Sequence, residues 1–366
     1  MPLKKLVSLI FHRVTIMGFA IGIQLVALIL MIGRFGNYFP QFYLFTTLIS
    51  AVAVIVIVSS NSKSGYKIAW IITIMLFPIF GGMFGNRRID QRMKRKMEQV
   101  RLHGHESLSF SEPIVQELSA IDKGAANQAR YIQDNAAFPL YRHTYSQYYP
   151  VGELVFEVML EELRKAERYI FMEYFIINEG IMWNSLLEIL VEKAQEGVDV
   201  RLIYDDLGCA FRLPPKYDQK LEALGIRVAR FHPFTPTLSA RQNNRDHRKM
   251  TIIDGHTAFT GGINLADEYI NVIERFGHWK DSGFLLKGEA AWSLTVMFLT
   301  MWEYTGGTTE DLDLFRPTTL PDIPVEQPGY IQPFSDNPFD GEPVGETVYL
   351  NIISQAKDYI YIYSPY

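Results

Sequence analysis

Two long runs without a charged side chain constrain this chain more than anything else in it. Residues 14–33 (VTIMGFAIGIQLVALILMIG) and 38–58 (YFPQFYLFTTLISAVAVIVIV) are each long and apolar enough to cross a hydrocarbon layer of about 30 Å as a helix. Aromatics bunch at one end of the second run, where an interfacial belt would lie. A cleaved signal peptide fits poorly, because no small-residue cleavage site follows the first run and a second run comes at once. The expected start of the chain is therefore a transmembrane helical hairpin. A third apolar stretch, residues 68–84, is interrupted by Pro78 and the Gly81-Gly82 pair, and is expected to be re-entrant or interfacial.

Basic residues set the orientation. Lys4, Lys5 and Arg13 precede the first run, Arg34 stands alone between the two, and Lys63 and Lys67 follow the second. Seven more lie between Arg87 and Arg101. This bias places both ends of the hairpin, and everything after residue 86, in the cytoplasm. The basic cluster of residues 87–135 then reads as a juxtamembrane connector. Against anionic headgroups each of its charges would contribute about 1 kcal/mol.

Beyond it the pattern is that of an α/β protein. Helical spacing over 152–167 leads into an apolar strand at 168–177. A helix at 184–196 leads through Gly197 into VDVRLIYDD, and one at 215–224 through Gly225 into IRVARF. Residues 250–260 read as one strand and 290–304 as a helix. Strands separated by helices of this length predict layers around a mainly parallel sheet. Residues 311–343, with seven prolines and seven acidic residues, read as an extended linker. After it, VGETVYLNIISQAKDYIYIYSPY (344–366) repeats VGELVFEVMLEELRKAERYIFMEY (151–174), so a second copy of the fold is expected to open there.

The chemistry is concentrated in HRKMTIIDGHTAFTGGIN, residues 247–264. His247 and Lys249 are two apart, so on an extended segment their side chains share a face. Asp254 closes the apolar strand, Gly261 and Gly262 permit close backbone approach, and Asn264 adds an amide. Imidazole is nucleophilic at neutral pH, and a fixed ammonium stabilises the charge of a phosphodiester. Glu173, in an apolar strand, either reaches the pocket or makes a structural ion pair. Asp205 and Asp206 end a strand but lack a nearby His or Cys, so no metal is expected. His143, His232, His256 and His278 have no comparable setting and read as structural. A single cysteine, Cys209, excludes a disulfide framework, and a net charge of −5 gives no reason to expect nucleic acid as a partner.

H-x-K-x4-D followed by G-G-x-N resembles the signature of the phospholipase D superfamily. The apolar hairpin, LIYDDLGC (202–209) and FTGGINLADEYINVIERFGHWKD (259–281) narrow the resemblance to the bacterial cardiolipin synthases. That resemblance implies a phospholipase D-like domain over 136–310 and a multi-pass protein of the bacterial cell membrane. It also implies a reaction without cofactor or metal, in which one phosphatidylglycerol gives its phosphatidyl group to another. In the family two signatures face each other: one histidine attacks phosphorus to form phosphatidyl-histidine, and the other protonates the departing glycerol. The carboxylate that fixes the tautomer of His247 is, by this resemblance, Asp281. Asp254 would then hold the turn and Lys249.

The second signature is absent from these 366 residues. By the repeat offset it is expected about 190 residues beyond His247, the chain breaking off inside the second copy. A complementing C-terminal half or a homo-oligomer would supply it otherwise. Two alternatives stand beside the synthase: a phospholipase D or phosphatidyltransferase with another acceptor, and a non-catalytic membrane partner of an intact synthase.

Overall fold

The computed structural model describes residues 22–23, 26, 29–30, 33, 39–60, 64–76, 91–110, 112–233, 244–275, 277–321, 329–337, 339 and 341–363. The chain divides into two compact units, Met1–Ile89 with Pro236–Ala240, and Asp90–Thr235 with Arg241–Tyr366.

In the first unit, α1 (Phe39–Val58) carries no charge, and α2 (Ser64–Leu76) follows it. Val52, Ile55 and Val56 turn outward from α1. The Lys67 ammonium donates to the Val58 carbonyl, meeting one of the orphan acceptors at the end of α1. The side chains of α1 are described without a break only over 44–58, and among the described residues no helix is long and apolar enough to cross a membrane. The expected span at 14–33, and Pro78 with Gly81-Gly82, fall largely outside the described residues.

The second unit runs α3 (Gln91–Glu106), α4 (Glu112–Ile121), α5 (Lys123–Ala136), β1 (Thr144–Tyr149), α6 (Gly152–Arg164), β2 (Tyr169–Tyr174), α7 (Ile181–Gln195), β3 (Asp199–Asp205), α8 (Asp206–Cys209), α9 (Tyr217–Ala223), β4 (Arg227–Phe231), β5 (Met250–Ile253), β6 (Thr257–Gly261), β7 (Gly283–Gly288), α10 (Ala291–Thr305) and α11 (Val344–Gln355). The seven strands form one sheet in the order β1-β7-β6-β5-β2-β3-β4. β2 is buried at every position, as a central strand covered on both faces must be. One face packs on α6, α7 and α9 through Met159, Leu163, Trp183 and Leu221. The other packs on α3 and α10 through Met97, Val100, Phe298 and Trp302. The basic residues 87–135 thus hold helices that contribute directly to this second core.

The sheet is mixed, which corrects the expectation of a mainly parallel one. Only β2–β3 and β3–β4 are parallel. The pairs β2–β5, β5–β6, β6–β7 and β7–β1 are antiparallel. The reason is local. Residues 250–260 are two strands rather than one, turned back at Asp254-Gly255-His256, with φ of 52° at Asp254 and 74° at Gly255. A connection this short can only join antiparallel neighbours.

The start of α7 is set from a distance. Asp267 accepts the backbone N–H groups of Ile181 and Met182, supplying the cap that Gly180 lacks. After α10 the described part of 311–343 lies along the unit, with Leu312, Phe315, Ile331 and Phe334 against the second core. α11 buries Val344 and Val348 there. Residues 358–363 form no strand, and Tyr359, Tyr361 and Tyr363 are exposed, unlike β2, which they resemble in sequence.

Candidate functional site

β5 runs antiparallel to β2, so the segment entering β5 meets the exits of β2, β3 and β6 at one end of the sheet. His247 and Lys249 lie on that segment. The His247 ring is exposed and stacks at a tilt on Phe175, with centroids 4.8 Å apart. Lys249 is buried, its Nζ 5.7 Å from the centre of the same Phe175 ring. That Nζ donates to the His247 carbonyl at 2.6 Å and lies 3.3 Å from His247 Nδ1.

Burial pushes the Lys249 ammonium down to about 8, although the Asp246 and Asp281 carboxylates act to raise it. His247 is also lowered, first by partial burial and then by the Lys249 charge, with Asp246 acting in the opposite sense. A cation beside a neutral, water-facing imidazole suits attack on an anionic phosphodiester.

The other expected residues fall into three places. Asp281 lies near Lys249: its Oδ1 accepts the Ser282 N–H at 2.9 Å and its Oδ2 the Trp279 indole N–H at 3.4 Å. Gly262 makes room for it, since a Cβ there would collide with Oδ1 of Asp281. Gly261 sits where β6 meets β7, and a Cβ there would run into the Ser282 carbonyl. Asn264 is buried, and its amide is turned to structure: Oδ1 accepts the Ile176 N–H and Nδ2 donates to the Tyr269 hydroxyl. It thereby fixes the turn that presents Phe175.

Asp254 lies at the far end of β5 from Lys249, roughly 16 Å along the strand at 3.3 Å per residue. Its carboxylate accepts the backbone N–H groups of Glu167, Arg168 and Tyr169 at 2.8–2.9 Å, holding the entry to β2. Glu173 faces the other side of the sheet and pairs with Arg248 at 2.8 Å. Asp205 caps α8 by accepting from Leu207 and Gly208, and Asp206 pairs with Arg230. Among the described residues no cluster of His, Cys, Asp and Glu could hold a metal ion.

His232 lies between the Asn244 carbonyl and the Tyr304 hydroxyl, and His278 is exposed beside Glu153. Phe175 was not foreseen. The signal for it is an aromatic residue one step past the end of β2, where strand exits of α/β sheets face ligands. Cys209 reinforces that exit: its sulfur accepts the Ile177 N–H at 3.3 Å and its thiol donates to the Phe175 carbonyl.

Residues 159–275 match the family model described as "Cardiolipin synthase, PLD-like domain", and residues 48–84 match "Phospholipase_D-nuclease N-terminal". An uncharacterized protein of Streptococcus mutans is 41% identical over 86% of this chain and 68% of its own length. A cardiolipin synthase of Geobacillus thermodenitrificans is 33% identical over 88% of this chain and 65% of its own. For cardiolipin synthase 2 of Bacillus anthracis the figures are 31%, 85% and 61%. The chain spans about two thirds of the length of these relatives.

Proposed function

This chain belongs to the cardiolipin synthase family of phospholipase D-like proteins, and on that premise we propose that it transfers a phosphatidyl group between two phosphatidylglycerol molecules. The observation that carries the reading is the water-facing His247 ring beside the buried Lys249 ammonium. A ring nitrogen of His247 forms a bond to phosphorus as the bond to the glycerol oxygen breaks. The hydroxyl of a second phosphatidylglycerol then displaces the histidine, giving cardiolipin, and its proton returns to the group that protonated the departing glycerol. Lys249 balances the charge on the non-bridging oxygens throughout. Asp281 is assigned to hold the imidazole once the substrate phosphate has drawn Lys249 away. Asp254 supports the site through the fold rather than by touching substrate.

The proton for the departing glycerol is assigned to a second signature, on a second copy of the domain or on a partner chain, since general acid catalysis contributes roughly 10²–10⁴-fold. The substrates are membrane lipids, and the chain is read as anchored in a bacterial cell membrane by an apolar hairpin, catalytic part cytoplasmic. Residues 136–310 are taken as the first phospholipase D-like domain, 311–343 as the link and 344–366 as the opening of the second. The uncharged α1 and the match over 48–84 support the anchor.

The test is to incubate the intact protein with vesicles of phosphatidylglycerol alone. Cardiolipin and glycerol in equal amounts are expected, and none with His247→Ala. Phosphatidic acid in their place would assign a phospholipase D, and unchanged cardiolipin in cells carrying His247→Ala would leave only a scaffold role.

A further inference from the structure

Along the segment bearing His247 and Lys249, alternate side chains make contacts on opposite sides. His247 and Lys249 turn to the face where Phe175 lies. Asp246 and Arg248 turn away from it, towards Glu173 of β2. Arg248 Nη2 lies 2.8 Å from Glu173 Oε1, and Arg248 Nε donates to Asp246 Oδ1 at 3.0 Å. Glu173 is fully buried and the Asp246 side chain is 4% exposed. The Asp246 N–H donates in turn to Asp205 Oδ2, and Asp205 also pairs with Arg245. Residues on both sides of His247 are therefore fixed from beneath.

As a means of stabilising the fold this is a poor arrangement. With Glu173 ionised, both of its oxygens, Oδ2 of Asp246 and Nη2 of Arg248 are buried without an aligned hydrogen bond. Buried ions left in that state commonly do worse than apolar side chains of the same size. Their location supplies a different reason for them. We propose that the Glu173–Arg248–Asp246 cluster, its two carboxylates buried, positions His247 and Lys249 for the phosphodiester, with Asp246 as its fixed charge. The proposal rests on the reading of His247 as the group that takes the phosphatidyl moiety.

The electrostatics agree. Burial drives Glu173 well above the usual carboxylate range, towards the neutral form. Asp246, despite its own burial, is held below that range by the Arg248 guanidinium. Asp246 is then the negative charge that Arg248 meets, and the same charge favours the protonated forms of His247 and Lys249.

The intact protein in phosphatidylglycerol vesicles provides the test. Asp246→Asn leaves Arg248 without the charge that it meets and so lowers the melting temperature; per folded molecule it is expected to lower kcat about tenfold or more, with KM altered less than about twofold. Glu173→Leu is expected to do the same, and Glu173→Gln, which preserves shape and hydrogen bonding, to recover about a third or more of the wild-type kcat. The second readout is the titration midpoint of His247 by NMR with ¹³C-labelled histidine. Lys249 and Asp246 on its own segment act on that ring, and Asp281, from the loop before β7, acts on Lys249. The midpoint is expected to fall in Asp246→Asn. A loss of activity that only tracks the folded fraction, or a His247 midpoint that stays put, overturns the proposal. Should Asp246→Asn not fold, Arg248→Lys, which keeps the charges and removes the fork, carries the kcat comparison, and a wild-type kcat in that variant overturns the proposal. If the wild-type protein processes no lipid, the functional reading fails while the His247 midpoint still decides the positioning role.

Discussion

Lys249 folds back on His247, its ammonium 2.6 Å from that residue's carbonyl and 3.3 Å from its Nδ1. With a cation on Nδ1, a neutral ring carries its proton on Nε2. An anionic phosphate would compete for the ammonium and release Nδ1. On the proposed function, substrate binding and activation of the imidazole would thereby be linked.

A pH profile follows from this pair. Phosphatidyl transfer is expected to rise as His247 deprotonates, with a midpoint below 6.5, and to fall as Lys249 loses its proton near 8. Measured as kcat/KM against pH, a plateau extending unbroken to pH 10 would remove Lys249 from the charge-balancing role.

The same residue weakens the fold. Because the native Lys249 titrates near 8 and an unfolded lysine near 10.5, the unfolded chain binds the extra proton between those values. Stability is therefore expected to increase with pH across that window, and the burden is fully present below about 8. Lys249→Met is expected to abolish activity while raising stability by about 1–3 kcal/mol, the loss of the bond to the His247 carbonyl offsetting part of the gain. Denaturant unfolding at pH 7 checks this; a destabilised Lys249→Met would refute it.

Asp254 behaves in the opposite way. Replacing it with Ala strands three backbone N–H groups and places a residue without Gly or Asn tolerance at φ 52°. A loss of about 2–4 kcal/mol is expected, since hydrogen bonds to charged groups contribute about 1.5–3 kcal/mol each and part is recovered by water. Asp254→Asn, with its amide and its ease in the left-handed region, should lose less. Equal damage from both, with unaltered melting temperatures, would show a chemical rather than structural role.

Phe175→Ala should open Lys249 to water. Its alkaline limb is expected to move to higher pH, and kcat to fall about three- to tenfold as the ring contacts to both side chains are lost. An unmoved alkaline limb would mean that the ring does not shield the ammonium.

Gly262→Ala should displace Asp281, because the added methyl falls on its carboxylate. Activity is expected to drop about tenfold or more with little change in KM, as for groups that act only in the transition state. Wild-type kcat in this variant would exclude Asp281 from the reaction.

The geometry of the candidate His247–Lys249 pair is legible in the sequence because its spacing is short. His247 and Lys249 share a face for reasons of pleat alone, and the glycines mark close approach. Contacts joining distant residues were not legible. Nothing near Asp254 points to Glu167, Arg168 and Tyr169, more than eighty residues away, or near Ile181 to its cap at Asp267. The mixed character of the sheet is hidden in the sequence for a related reason. The apolar run 250–260 masks the Asp254-Gly255 turn, although Asp-Gly between apolar runs is a strong hairpin signal. β1, TYSQYY, lacks the aliphatic residues that mark the central strands, since it forms an edge and is only partly buried.

β5 gives a physical meaning to the four-residue gap inside His247-x-Lys249-x4-Asp254: the gap is the strand itself. The signature works as a gauge spanning the sheet from the end that carries His247 and Lys249 to the end that anchors β2. Inserting or deleting one residue there would turn Lys249 to the opposite face or pull Asp254 from its three donors. The interval within the signature is thus fixed by the length of β5.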